Sequence, residues 1–134
     1  MKVCSACLLG IECRYDGRSK PNEKVLELSK QEVLIPICPE QLGGLPTPRT
    51  ASEIQGGFGE EVINGKSYVK TLNGENVTEQ YIRGAEISLN IAKMYNIKEA
   101  ILKQKSPSCG CGKSFDGTFT DTLIDGDGVT TALF

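Results

Sequence analysis

Three short apolar segments, each running into a loop that carries a cysteine, limit the folds open to this 134-residue chain. Residues 2–6 read as a buried strand ending at Cys7-Leu8-Leu9-Gly10. Residues 33–37, Val33-Leu34-Ile35-Pro36-Ile37, read as a second strand that enters Cys38-Pro39-Glu40 directly. Pro36 lacks a ladder donor, so this strand belongs at a sheet edge or ends in a kink. Residues 99–103, centred on Ala100-Ile101-Leu102, form a third strand that feeds Ser106-Pro107-Ser108-Cys109-Gly110-Cys111-Gly112. Between the first two strands a short helix follows Pro21, with Asn22 as its N-cap and Val25, Leu26 and Ser29 near one face. Between the second and third, Ile82, Ala85, Leu89 and Ala92 recur at three- and four-residue steps. That spacing predicts a helix from Thr78, or from Asn76 if Glu79 closes a capping box, to Tyr95. Strand, helix, strand, helix, strand is the order of a parallel sheet built through right-handed crossovers. The predicted class is therefore α/β. Ligands of such sheets bind at the carboxyl ends of the strands, and Cys7, Cys38 and Cys109 each lie just past one. Residues distant in sequence are expected to meet on one rim.

The remaining segments are less periodic. Residues 45–58, rich in Pro, Thr and Gly, read as an ordered but irregular loop. Val62-Ile63 and Tyr68-Val69 flank Asn64-Gly65, the strongest short signal for a small β-hairpin insertion. Residues 113–134 carry Asp-Gly turns and a last apolar segment, Val129 to Phe134. The length suits a single domain over residues 1–134. With 15 basic and 17 acidic residues and no block of like charge, the chain is a poor partner for long nucleic acid or an anionic membrane. It shows no secretory signal and no run long enough to span a membrane, so a cytoplasmic protein is expected, monomeric or weakly dimeric.

Composition narrows the chemistry. Histidine is absent, which excludes an imidazole base and mixed Cys/His zinc sites. The six cysteines stand at 4, 7, 13, 38, 109 and 111, a density that in a reducing compartment points to ligands or reactive thiols rather than disulfides. Cys4, inside an apolar run, is the one that reads as a buried hydrophobe. Converging thiolates suit a soft metal centre. A closed zinc site would need a fourth ligand from Cys13 or Cys111; a cubane on three protein thiolates leaves one iron open for catalysis. Two further readings stay open: a binding module stapled by zinc, and a thiol redox protein using Cys4-x-x-Cys7. Glu40, two residues past Cys38, could relay protons. Ser106 and Ser108 bring hydroxyls beside Cys109, with Ser108 the better candidate to cap a turn. Arg14, Asp16 and Arg49 sit in nearby loops as substrate-binding or loop-stiffening charges, and the Gly110 and Gly112 amides could donate to cluster sulfides.

Five motifs then resemble one family. Ser5-Ala6-Cys7-Leu8-Leu9-Gly10, Cys13-Arg14-Tyr15-Asp16-Gly17, Cys38-Pro39-Glu40-Gln41-Leu42-Gly43-Gly44-Leu45, Pro48-Arg49 and Ser106-Pro107-Ser108-Cys109-Gly110 occur in the order of the thiouracil desulfurase family, spread over nearly the whole chain. The resemblance implies a Rossmann-like three-layer fold with a mainly parallel sheet and a [4Fe–4S] cluster held by Cys7, Cys38 and Cys109. It implies Glu40 as the acid–base residue and Ser106 as the assisting hydroxyl. The implied reaction is a non-redox desulfuration of a small thiolated pyrimidine, of the 2-thiouracil or 4-thiouracil type, in which open iron polarises the carbon–sulfur bond. Uracil and hydrosulfide are the expected products. A thiolated transfer RNA is not excluded as substrate.

Overall fold

The computed structural model describes residues 1–134. Strands β1 (Lys2–Ser5), β2 (Leu34–Ile37) and β5 (Ala100–Ile101) form one parallel sheet in the order β2-β1-β5. Val3 pairs with Ile35 and Ala100, and Cys4 with Pro36 and Ile101. Strand β2 is an edge, and Pro36 is exposed there, where its missing donor leaves no ladder bond unmade. Alternation along the strands gives the sheet two buried faces. Cys4, Leu34 and Ile101 share a cluster with Val25 of helix α1 (Glu23–Ser29). Val3, Ile35 and Ile37 pack with Ile91 and Ala92 of helix α4 (Thr78–Met94). The result is a three-layer, Rossmann-like α/β arrangement.

Helix α1 starts where its cap predicts: the Asn22 Oδ1 accepts the Val25 N–H at 3.2 Å. Helix α4 starts after Val77, and Asn76 accepts from the Thr78 amide at 3.0 Å. Its buried face is Tyr81, Gly84, Ala85, Ser88 and Ala92, rotated from the purely apolar stripe that the sequence predicts. Small residues lie there because a second helix approaches closely. Helix α2 (Pro39–Leu42) crosses α4 at Gly43 and Gly84. A Cβ on Gly84 would fall 1.8 Å from the Pro39 carbonyl oxygen, and one on Gly43 would fall 1.9 Å from that of Gln80.

The hairpin lies elsewhere than the sequence predicts. Val62 and Ile63 belong to helix α3 (Gly59–Ile63), and Asn64-Gly65 terminates it, with Gly65 at φ +77°. Left-handed glycine ends helices as readily as it turns hairpins, and here the helix prevails. The actual antiparallel partner of β4 (Tyr68–Thr71) is β3 (Ser52–Gln55), inside the stretch that reads as irregular loop. A second hairpin joins β6 (Lys113–Phe115) and β7 (Leu123–Asp125), and helix α5 (Val129–Leu133) follows. Ile54, Val62, Val69, Val77, Tyr81, Ala85 and Val129 form a second core among β3, β4, α3, α4 and α5. No helix is long and apolar enough to cross a membrane.

Candidate active site

A cavity of about 340 Å³ opens over the carboxyl ends of β1, β2 and β5. Cys7, Cys13, Cys38 and Cys109 line it, together with Glu40, Ser106, Arg14 and Arg49. Cys7 sits in the 3₁₀ turn Ala6–Leu9 that leaves β1. Cys38 is the N-cap of α2, immediately past β2. Cys109 lies in the loop after β5, which four hydrogen bonds hold in place. Ser5 Oγ accepts the Lys103 amide at 2.8 Å, tying the end of β1 to that of β5. The Val129 and Thr130 amides at the start of α5 donate to the Pro107 and Ser108 carbonyls at 2.8 and 2.9 Å. Thr131 Oγ1 donates to the Cys109 carbonyl at 2.9 Å. The last apolar segment of the sequence thus fixes a cavity loop.

Cys4 and Cys111 stand apart. Cys4 is fully buried under the sheet, its thiol pushed up to about 11 by burial, and Cys111 is exposed outside the cavity. A redox dithiol needs an accessible, acidic sulfur, which Cys4 is not.

The four cavity thiols differ in their surroundings. Cys13 touches both Cys7 and Cys38. Its hydrogen bond to them lowers the Cys7 thiol and brings the Cys38 thiol down to about 7, while Cys13 itself is held far above the usual thiol range. Cys7, Cys13 and Cys38 therefore form one hydrogen-bonded cluster, and the Cys38 thiol also donates to the Cys13 carbonyl at 3.7 Å. Lys103 and Arg14 favour the Cys7 thiolate further. Cys109 is pushed up to about 12 by burial. It becomes a thiolate only against a positive partner, as a metal provides.

Glu40 is gripped from both sides. The Tyr81 hydroxyl donates to its Oε1, and Arg49 Nη2 lies 3.4 Å from its Oε2. Arg49 is itself anchored, donating to Thr47 Oγ1 at 2.9 Å, to the Pro46 carbonyl at 3.1 Å and to the Cys13 carbonyl at 2.9 Å. Ser106, not Ser108, caps its turn: Ser106 Oγ accepts the Ser108 and Cys109 amides at 3.0 and 3.2 Å. Ser108 is fully buried against Thr130. Arg14 pairs with Asp16 at 3.7 Å, and Asp16 also accepts the Arg18 amide at 3.0 Å, so Asp16 stiffens the loop and does not line the cavity. The glycine amides are already committed. Gly110 donates to the Ser106 carbonyl at 2.8 Å and Gly112 to Asp127 Oδ1 at 2.7 Å. Neither is free for a sulfide. Tyr81 is the residue that sequence reasoning missed, because a tyrosine on a helix reads as core.

The donor set can be tested against a sulfur-rich metal group. No three Cys, Asp or Glu side chains gather closely enough to hold a single ion, whereas zinc draws its sulfurs to within about 2.3 Å of one point. Cys7, Cys13, Cys38 and Cys109 instead line a cavity of about 340 Å³, room that a polynuclear group needs. One buried donor, Arg49 Nε, has no hydrogen-bond partner in the protein. An orphaned buried N–H is costly, and an anionic sulfur group in the cavity that Arg49 lines would satisfy it. The residues fit such a group.

Comparison with known proteins gives a consistent picture. A family described as 2-thiouracil desulfurase matches residues 3–134. The chain is 48% identical over 133 residues to the uncharacterized protein YbbK of Bacillus subtilis (strain 168), covering 99% of this chain and 88% of that protein. It is also similar to the solved structure of the [4Fe–4S]-dependent thiouracil desulfidase TudS, with a TM-score of 0.86 and 41% identity over 98% of this chain and 82% of that one.

Proposed function

The chain belongs to the 2-thiouracil desulfurase family, enzymes that act on carbon–sulfur bonds, and from that premise we propose that it hydrolyses a thiolated pyrimidine to uracil and hydrosulfide without net redox change. The substrate is a small thiocarbonyl base of the 2-thiouracil or 4-thiouracil type. Water supplies the oxygen, and sulfur leaves with its electron pair, so no oxidant or reductant is consumed. One observation carries the reading: thiols from the ends of three parallel strands share a cavity with a clamped carboxylate and a hydroxyl.

Cys7, Cys38 and Cys109 would hold a [4Fe–4S] cluster. When bound, that group supplies a soft Lewis acid matched to thiocarbonyl sulfur. Cys13, which follows no strand end and hydrogen bonds to two of the three, is assigned as their neighbour. The protein's own residues supply the proton chemistry. Both amides that Ser106 accepts occupy its lone pairs, which leaves its O–H as a donor into the cavity. Ser106 therefore orients or protonates a polar substrate atom and does not act as a base. Glu40 has one oxygen committed to Tyr81 and the other facing Arg49, and its remaining lone pairs take the proton from attacking water.

Anaerobically reconstituted protein incubated with 2-thiouracil and 4-thiouracil is expected to release sulfide and uracil in equal amounts. Glu40→Gln should keep the brown absorbance near 400 nm and lose turnover, by a factor of about 10² to 10⁴. Full turnover in Glu40→Gln would remove it from the mechanism. Colourless protein carrying stoichiometric zinc would overturn the reading as a whole.

A further inference from the structure

We propose that Tyr81 and Arg49 are positioning residues that act as a two-sided clamp on the Glu40 carboxylate, fixing it for proton transfer. The inference rests on the assignment of Glu40 as the acid–base group and extends it to residues of two other elements.

The clamp is built into the fold. Gly43 caps α2 in helical conformation three residues after Glu40, and Tyr81 and Gly84 lie three apart on α4, so each pair shares a face. The close crossing at the two glycines therefore brings the carboxylate to the phenol. Tyr81 is 1% exposed and the Arg49 side chain 5%. Neither donor is shared with solvent to any extent. Tyr81 holds Oε1 and Arg49 faces Oε2, so the carboxylate cannot rotate without losing both. Arg49 is in turn fixed by the backbone of the Cys13 loop and by Pro46 and Thr47. A buried tyrosine needs one acceptor for its hydroxyl, and the Tyr81 hydroxyl, which also meets the Ser52 side chain, points at a carboxylate on the cavity wall.

The test uses the reconstituted enzyme and steady-state sulfide release from 2-thiouracil. Tyr81→Phe should retain the cluster absorbance near 400 nm and its KM, and lose kcat by about tenfold to a hundredfold, the range spanned by one hydrogen bond to a charged group. The same substitution placed in Glu40→Asp, whose shorter side chain no longer reaches the phenol, should cost little more than Glu40→Asp alone. If Tyr81→Phe does not fold, Arg49→Lys carries the same expectation, a kcat loss at constant KM. Unchanged kcat, or a full additive loss in the Glu40→Asp background, would overturn the clamp. Failure of the premise looks different: Glu40→Gln would then turn over at the wild-type rate, whereas failure of the clamp alone leaves Glu40→Gln inactive and Tyr81→Phe unimpaired.

Discussion

Position just past a strand end separates Cys7, Cys38 and Cys109 from Cys13 in the cavity. Sequence spacing places Cys7, Cys38 and Cys109 past three strand ends but says nothing of where Cys13 points, since it sits in a loop with no periodicity. The structure puts its thiol against two others. Cys13→Ala is therefore expected to keep iron after anaerobic reconstitution, and Cys4→Ser likewise, because Cys4 lies outside the cavity. Iron analysis of the purified variants checks both. Loss of iron from Cys13→Ala would make it a ligand. Ser106 shows the same limit of sequence reading: its hydroxyl and that of Ser108 are equivalent on paper, and the choice between them depends on which one the α5 contacts bury. Ser106→Ala removes an acceptor for two amides as well as a donor. It should lower turnover and also loosen the Cys109 loop, visible as faster loss of cluster absorbance in air than in wild type.

The elements were legible in proportion to their periodicity. Strands β1 and β2 and helices α1 and α4 carry clear patterns, and the structure holds them near the predicted bounds. Strand β3 was hidden because its four residues, Ser52–Gln55, include only one aliphatic side chain among Pro- and Gly-rich neighbours. The Asn64-Gly65 signal was sound local chemistry resolved by tertiary packing in favour of a helix end. The crossing of α2 and α4 had no sequence signature beyond isolated glycines. Gly84→Ala is expected to destabilise the protein by about 1–3 kcal/mol, because a Cβ there meets the Pro39 carbonyl and no flexible side chain can yield. Urea unfolding measures that change. At the outer edge of the sheet Glu32 binds Lys2 at 2.7 Å, and that contact depresses the Glu32 pKa below its usual 4.5. The sign follows from linkage: the carboxylate stabilises the fold above its unfolded pKa and this contribution is lost as pH falls through the depressed value. Glu32→Gln should thus flatten the acid side of the stability profile below about pH 4.5, read from denaturant midpoints, and leave the neutral range nearly parallel to wild type. High salt should shrink the difference.

For the whole molecule, the site lies where three chain segments of distant sequence meet. The ends of β1, β2 and β5 are joined by backbone hydrogen bonds within the sheet, and their cysteine loops are held by both backbone and side-chain hydrogen bonds. A group bound to Cys7, Cys38 and Cys109 would cross-link these loops, and ligand binding to the folded state alone raises stability by mass action. Removing the metal with a chelator should lower the melting temperature and speed proteolysis in the 103–112 loop. The most direct measurement is the iron and acid-labile sulfide content of reconstituted Cys7→Ala, Cys38→Ala and Cys109→Ala beside wild type. A cubane on three protein thiolates predicts about four irons and four sulfides per wild-type chain and a loss of most of both in each variant. A variant of any of the three that keeps the full complement would contradict it.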